Sequence, residues 1–266
     1  MATLGFIGIG NMGYAMMKGA LTKYTKEELA FTSVDVERNN QVSAETGVNC
    51  LANNVDLVKN CKYVVLAIKP QVYDAVLSEI KGFITENHVI ISIAPGISTD
   101  DVAEKLGGNV KVSRAMPNTP ALVNEGMAGL CFGKIPMSDQ EKQTVVEFFE
   151  SFGRCEVVDE KLMNAVVCAS GSSPAYVYMF IEALADGAVK YGIPRDKAYS
   201  FAAQTVLGAA KMVLETGEHP GKLKDNVCSP GGTTIAAVAA LEEYGFRNAV
   251  IKATDLCYEK TVGFKK

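Results

Sequence analysis

The sequence predicts an α/β chain in two parts, a doubly wound, mainly parallel sheet followed by an all-helical domain. Three observations carry this. Apolar strand-like runs alternate with helix-like runs as far as Val158, the mark of parallel βαβ units. A glycine-rich turn, Gly8-Ile-Gly10-Asn-Met-Gly13, separates the first strand-like run from the first helix-like one. From Glu160 onward strand signal almost vanishes. The boundary is expected near Asp159, giving domains 1–159 and 160–266.

Bulk properties narrow the class. The 266 residues suit one large domain or two modest ones. With 48% hydrophobic residues the chain can build a packed core. A net charge of -4 and the lack of a Lys/Arg run argue against nucleic acid as a partner. Gly, Asp or Lys interrupts every apolar stretch well short of the roughly 20 residues a membrane span needs, so no membrane partner is expected. The chain opens on a strand-like run with no basic start and no small-residue cleavage site, so no targeting peptide is expected. Seven scattered cysteines, without a C-x-x-C pair, read as reduced thiols of a cytoplasmic protein. The two histidines, His88 and His219, form no H-E-x-x-H pattern, and no metal site is expected.

In the first half, Thr3-Leu-Gly-Phe-Ile-Gly-Ile9 reads as a buried strand and Tyr14 to Leu21 as the helix after it. A G-x-G-x-x-G turn between such elements is a dinucleotide-binding pattern: Gly8 turns the chain, Gly10 lets the backbone approach a pyrophosphate, and Gly13 lets helix pack on strand. The second strand is expected over Leu29 to Val34. An acid directly at its end would hold a ribose 2′-OH and favour NAD. Here Thr32 and Ser33 come first, with Asp35 and Arg38 close behind. Hydroxyls with an arginine suit a 2′-phosphate and hence NADP; Arg38 on a solvated turn is the plainer alternative. Tyr63 to Ile68, His88 to Ile93 and Val110 to Met116 continue the strands, with helices over Val72 to Ile80 and from Ser98. Their ends carry Lys69-Pro70, Ala94-Pro-Gly96 and Pro117-Asn-Thr-Pro120. Ligands of open parallel sheets bind outside the carboxyl ends of strands, so these loops are expected to line the cofactor. Gly126 to Phe132 and Arg154 to Val158 add two strands around a helix, Asp139 to Phe152.

In the second half, Lys161 to Ala169, Pro174 to Lys190, Arg195 to Glu215 and Ile235 to Tyr244 read as helices. Gly171-Ser-Ser-Pro174, Gly192-Ile-Pro194 and Gly217-Glu-His-Pro-Gly221 read as breaks. Met179 to Val189 is apolar over a wide arc, which in a domain this small predicts burial against a second subunit; a compact monomeric bundle is the alternative. The polar stretch Ser229-Pro-Gly-Gly-Thr233 runs directly into the Ile235 helix. A helix start offers free N–H groups and a positive dipole end, so it can hold an anion. Gly231 and Gly232 would leave that backbone open to a ligand. A plainly capped helix is the alternative.

Several runs occur in order: Gly5-Phe-Ile-Gly-Ile-Gly-Asn-Met-Gly13, Ala67-Ile-Lys-Pro70, Arg114-Ala-Met-Pro-Asn-Thr-Pro120, Ser170-Gly-Ser-Ser-Pro-Ala-Tyr176, His219-Pro-Gly221 and Lys224-Asp-Asn-Val-Cys-Ser-Pro-Gly-Gly-Thr-Thr-Ile235. Together they resemble the pyrroline-5-carboxylate reductase family over essentially the whole chain. The resemblance implies a Rossmann domain and a helical dimerisation domain. It implies NAD(P)H-dependent reduction of the cyclic imine 1-pyrroline-5-carboxylate to L-proline, NADP(H) being favoured and NAD(H) allowed. It also implies a homodimer, which in many members assembles into a decamer. By match, the cofactor is expected at Ile7, Gly8, Ile9, Gly10, Asn11, Met12, Ser33, Asp35, Asn54, Ala67, Ile68, Lys69, Pro70, Ala94, Pro95 and Gly96, with Asn226 near the nicotinamide end. The substrate carboxylate is expected at Ser229, Gly231, Gly232, Thr233 and Thr234, with Thr234 also catalytic. Ile68 and Pro95 stand where Val and Ala are commoner in the family.

The implied chemistry also fits what the sequence lacks. A ketone reductase needs an acid to protonate the forming alkoxide. A cyclic imine can arrive already protonated, so hydride transfer creates no new anion, and positioning and desolvation carry the reaction. Two rivals are weighed. A hydroxyacid dehydrogenase of the same build would need a lysine early in the long helix, whereas Pro174 to Lys190 has none before Lys190. A non-catalytic NAD(P) sensor would not need Thr233 and Thr234 intact.

Overall fold

The computed structural model describes residues 2–263; Met1 and the last three residues of the expected second domain lie outside them. Strands β1 (Ala2–Ile7), β2 (Leu29–Thr32), β3 (Asn49–Cys50), β4 (Cys61–Leu66), β5 (Val89–Ser92), β6 (Lys111–Met116), β7 (Gly126–Phe132) and β8 (Gly153–Val157) form one eight-stranded sheet, in the order 3-2-1-4-5-6-7-8. Pairing is parallel from β3 across to β6; β7 is antiparallel to β6, and β8 is parallel to β7. Helices α1 (Asn11–Ala20), α2 (Val36–Thr46), α3 (Asn54–Asn60), α4 (Tyr73–Ile80), α5 (Thr99–Lys105) and α6 (Asp139–Glu150) fill the connections.

Alternation along the strands builds a core on each face. Leu4, Phe6, Tyr63, Val65, Val89 and Ile91 enter one cluster. Ile7, Val64, Leu66 and Ile90 enter the other. Strands covered on both faces read as continuous apolar runs, which is why β1, β4 and β5 are plain in the sequence. An aromatic group seals the first face. Phe148 lies 5.8 Å from Phe6, 4.9 Å from Phe149 and 5.3 Å from Phe152, centroid to centroid.

Several elements differ from the expectation. The two-residue strand β3 is too short for periodicity to reveal. Only four residues of the expected Lys161–Ala169 helix are α-helical, as α7 (Met163–Val166). A π turn follows over Val167–Gly171, in which the Ser172 N–H reaches back to Val167 O at 2.8 Å. One local and one distant bond accompany it: Ser170 Oγ donates to Val166 O at 3.1 Å, and Ser170 O accepts from Asn118 Nδ2 at 3.1 Å.

The remaining helices are α8 (Pro174–Lys190), α9 (Arg195–Thr216), α10 (Pro220–Val227), α11 (Thr233–Glu243) and α12 (Phe246–Gly263). The Gly217–Gly221 break contains the start of α10. Gly217 ends α9 in the left-handed region at φ 65°, and His219 Nδ1 accepts the Gly221 N–H at 3.0 Å beside Pro220. No helix among the described residues is long and apolar enough to cross a membrane.

By packing, the chain divides into two compact units. One runs through Ser172 and takes the chain back from Cys257 onward; the other is Ser173–Leu256. The division falls beyond Asp159 because three side-chain links hold residues 160–170 to the sheet unit. Glu160 accepts from Thr99 N and Thr99 Oγ1, both at 2.7 Å. Buried Arg114 donates from Nη2 to Asn164 Oδ1 at 3.2 Å. Asn118 takes Ser170, as above. At the far end of the excursion, Cys257 Sγ donates to Ser172 Oγ at 3.3 Å, 85 residues away in sequence. The second unit is poor in core: its buried apolar cluster is Ala185, Ala198 and Ala202, where α8 packs along α9.

Candidate active site

The carboxyl ends of β1, β2 and β4 open on a groove of about 770 Å³. Strand order reverses there, β1 having β2 on one side and β4 on the other, which is the switch point where open α/β sheets bind ligands. The groove brings together eleven of the residues expected at a cofactor: Ile7 to Asn11 from β1, Ser33 and Asp35 after β2, Asn54 at the start of α3, and Ala67 to Lys69 after β4. Thr32 and Arg38 line it too.

The three glycines of the turn have different physical reasons. Gly8 sits at φ +95°, and a Cβ there would lie 2.5 Å from Ala67 O. A Cβ on Gly13 would lie 2.3 Å from Gly8 O. Both are therefore required by the fold. Gly10 is not. Its φ of -64° and ψ of -170° suit any residue, and a Cβ would meet nothing within 4 Å. Glycine at the mouth of the groove, directly before α1, leaves the backbone there open to an approaching group. The first-turn N–H groups of α1, which has no side-chain cap, then face an anion. A dinucleotide pyrophosphate fits these requirements.

After β2 the polar groups are committed in a definite way. Asp35 caps α2, accepting the Arg38 N–H at 2.9 Å, and Ser33 Oγ accepts the Asp35 N–H at 3.2 Å. Asn54 donates from Nδ2 to Glu79 Oε2 at 2.7 Å. Glu79, Asn53, Ala52, Val72 and Val76 also line the groove and were missed in the sequence; only Asn53 left a signal there, as a capping residue before α3.

Five expected cofactor residues of the same unit lie off this groove. Met12 packs against one core cluster and Ala94 is buried in the other. Pro70 opens an exposed 3-10 turn, Pro95 is half-buried, and Gly96 lines a separate groove of about 290 Å³ beside Tyr73 and Lys105. Tyr73 is no acid near neutrality. Burial pushes its phenol up to about 12, and the hydroxyl donates to Leu66 O at 3.1 Å.

In the second unit, α11 begins at Thr233, earlier than the expected Ile235. Gly232 is the N-cap, and no side chain caps the helix. Thr233 and Thr234 are thus the first two helical residues, with N–H groups that the helix cannot satisfy internally. The glycines here shape the turn. Gly231 adopts φ +68°, and a Cβ on Gly232 would strike Ser229 Oγ at 2.4 Å. The Gly232 N–H returns to Ser229 O at 3.0 Å. Asn226 lies exposed on α10. Both histidines serve the backbone. His219 caps α10, while His88 Nδ1 accepts the Thr85 N–H at 2.9 Å and its Nε2 meets Val58 O at 3.0 Å.

Residues 160–263 match the family model for pyrroline-5-carboxylate reductase dimerisation, and residues 3–96 match the model described as NADP oxidoreductase, coenzyme F420-dependent. The pyrroline-5-carboxylate reductase of Escherichia coli K12 is 45% identical over 265 residues, 99% of this chain and 98% of that protein. This chain belongs to the pyrroline-5-carboxylate reductase family. The Pisum sativum member is 40% identical, over 94% of this chain and 92% of that one. A solved structure of the Plasmodium falciparum enzyme, described with NADP bound, superposes with a TM-score of 0.89 at 33% identity, covering 100% of this chain and 98% of the other. The family's dimerisation model begins at Glu160, whereas the packing unit begins at Ser173. Residues 160–172 thus belong to one part by descent and to the other by contacts.

Proposed function

We propose that the chain reduces 1-pyrroline-5-carboxylate to L-proline with NAD(P)H, the last step of proline biosynthesis. The observation that carries this is the uncapped start of α11, with Thr233 and Thr234 as its first residues, in a chain of this family. The proposed binding residues divide between the expected domains: the nucleotide lies along 1–159, and the substrate carboxylate is held by the turn and first helical residues in 160–266. Bound NAD(P)H supplies the hydride.

This chain's residues do the rest. The Thr233 and Thr234 N–H groups bind the carboxylate, with Ser229, Gly231 and Gly232 setting the turn that presents them. The Thr234 hydroxyl holds the ring nitrogen. An iminium that arrives protonated requires no acid, which accords with two histidines committed to backbone. Along the nucleotide, Gly10 admits the pyrophosphate, and Ile7 to Asn11, Ser33, Asp35, Asn54 and Ala67 to Lys69 form its wall. The deciding assay is NAD(P)H oxidation with pyrroline-5-carboxylate against a 2-keto acid control. Turnover only with the keto acid overturns the reading in favour of a hydroxyacid dehydrogenase; turnover with neither leaves a sensor.

NADPH is the expected preference, because Asp35 is engaged as a helix cap while Arg38 lines the same groove. Measuring kcat/KM for both cofactors checks it, and a preference for NADH above about tenfold would reverse it.

The working form is a homodimer. A unit whose buried apolar cluster is three alanines exposes Met179 at 69%, Phe201 at 62% and Leu256 at 66%. A groove of about 710 Å³ lined by Phe180, Leu184, Leu241 and Tyr244 adds to this apolar face. Such area on one chain is an association surface. Sedimentation at decreasing concentration is expected to show no folded, active monomer, and the same run tests the decamer that we propose as the higher assembly. Free thiols at all seven cysteines accord with the proposed cytoplasmic location.

A further inference from the structure

Beside the nucleotide groove, two helix faces meet in a cluster of polar side chains. Tyr14 and Lys18 lie one turn apart on α1, and Arg38, Gln41 and Glu45 share one face of α2. The Arg38 guanidinium carbon stands 4.6 Å from the centroid of the half-buried Tyr14 ring. Arg38 Nη1 donates to Gln41 Oε1 at 2.9 Å. The Tyr14 hydroxyl donates to Glu45, and Lys18 Nζ lies 3.5 Å from the same carboxylate oxygen. The hydrogen bond to Glu45 raises the Tyr14 phenol above its ordinary value, so it remains a donor at neutral pH.

Each contact has a consequence for Arg38. The ring supports the guanidinium carbon at 4.6 Å without neutralising it. Gln41 takes one N–H and leaves the others. Glu45, the carboxylate of the cluster, is engaged by Tyr14 and Lys18, and Asp35 is engaged by the start of α2. Arg38 thus keeps most of its donors at a groove where Ser33 adds a hydroxyl. A planar fork held in place loses less freedom on meeting a phosphate than a mobile one does.

We propose that Tyr14 is a positioning residue for cofactor selectivity: its ring, tethered to Glu45, is the shelf that presents Arg38 to the ribose 2′-phosphate of NADPH. The inference rests on the NADPH preference proposed above. It assigns to the helix after the glycine turn a part in choosing the nucleotide as well as in meeting its pyrophosphate.

The test uses the full chain and two probes that lack nicotinamide, 2′,5′-ADP and 5′-AMP, with affinities read by calorimetry. The unmodified protein is expected to bind 2′,5′-ADP at least about tenfold tighter than 5′-AMP. Tyr14→Leu weakens 2′,5′-ADP by about three- to tenfold, the range of a cation–π contact, and leaves 5′-AMP nearly unchanged. Tyr14→Phe keeps the ring and restores most of the discrimination. Circular dichroism confirms that each variant is folded. Equal loss for both probes, or discrimination that survives Tyr14→Leu, makes the ring a helix-packing contact and overturns the inference alone. Equal binding of both probes by the unmodified protein removes the NADPH preference itself, and the inference with it.

Discussion

Thr234→Val is expected to lower kcat/KM for pyrroline-5-carboxylate by roughly ten- to a hundredfold, the loss of one charge-assisted hydrogen bond of about 1.5–3 kcal/mol. Valine keeps the shape and both backbone donors and removes only the hydroxyl. The start of α11 separates this outcome from a structural one. Gly232 is the N-cap and no side chain caps the helix, so the loss of about 1 kcal/mol that accompanies a deleted cap is not expected. Val and Thr also have similar helix propensities. The melting temperature should hold, and NADPH binding should barely change because the hydroxyl is assigned to the substrate. Turnover, melting temperature and NADPH affinity measured on the same variant check all three, and unchanged turnover ends the catalytic role of Thr234.

Gly10→Ala and Gly13→Ala are expected to fail in opposite ways. A methyl at Gly10 meets nothing within 4 Å. Alanine there leaves stability unchanged or raises it by about 0.4–1 kcal/mol, through a less flexible unfolded chain. The same methyl holds the pyrophosphate off the backbone. Losing one or two charge-assisted hydrogen bonds of about 1.5–3 kcal/mol each weakens NADPH by at least about tenfold. At Gly13 the methyl lies 2.3 Å from Gly8 O, a backbone clash that costs about 1–3 kcal/mol. NADPH titration and thermal melts of both variants decide the matter. A Gly10→Ala protein with normal affinity removes the pyrophosphate from this turn.

Much of this architecture is legible in the residues, for physical reasons. A strand buried on both faces has no polar side to hide its pattern, so β1, β4 and β5 stand out. The glycine turn between strand and helix locates the groove. Less can be read where shape depends on distant partners. The π turn at Val167–Gly171 is accompanied by a bond from Asn118, far away in sequence. Helix α12 carries Arg247, Lys252, Asp255 and Lys260 among its apolar residues, and its apolar period is weak for a helix of 18 residues. Helix α10 hides behind His219-Pro-Gly221, which reads as a break but holds the cap of a new helix. At the turn from Ser229 to Thr233, the residues do not distinguish glycine needed for a ligand from glycine needed for the chain. The φ of Gly231 and the nearness of Ser229 to Gly232 make both structural, and leave the ligand argument to Thr233 and Thr234.

The bond from Cys257 to Ser172 ties together the two points where the chain leaves and rejoins the sheet unit. The chain leaves the sheet unit after Ser172 and re-enters it at Cys257, so the whole helical unit is a loop whose two feet stand together. Such a loop has no free end from which to fray. Its lower foot is the last part of α12, where Cys257 packs against the Met116, Cys131, Met163 and Val167 cluster and Thr261 is buried. The last turns of α12 therefore act as a clasp. Shortening the protein to end before Cys257 would release one foot and turn the loop into a dangling arm, with loss of order spreading from α12 into helices that the cut never touched.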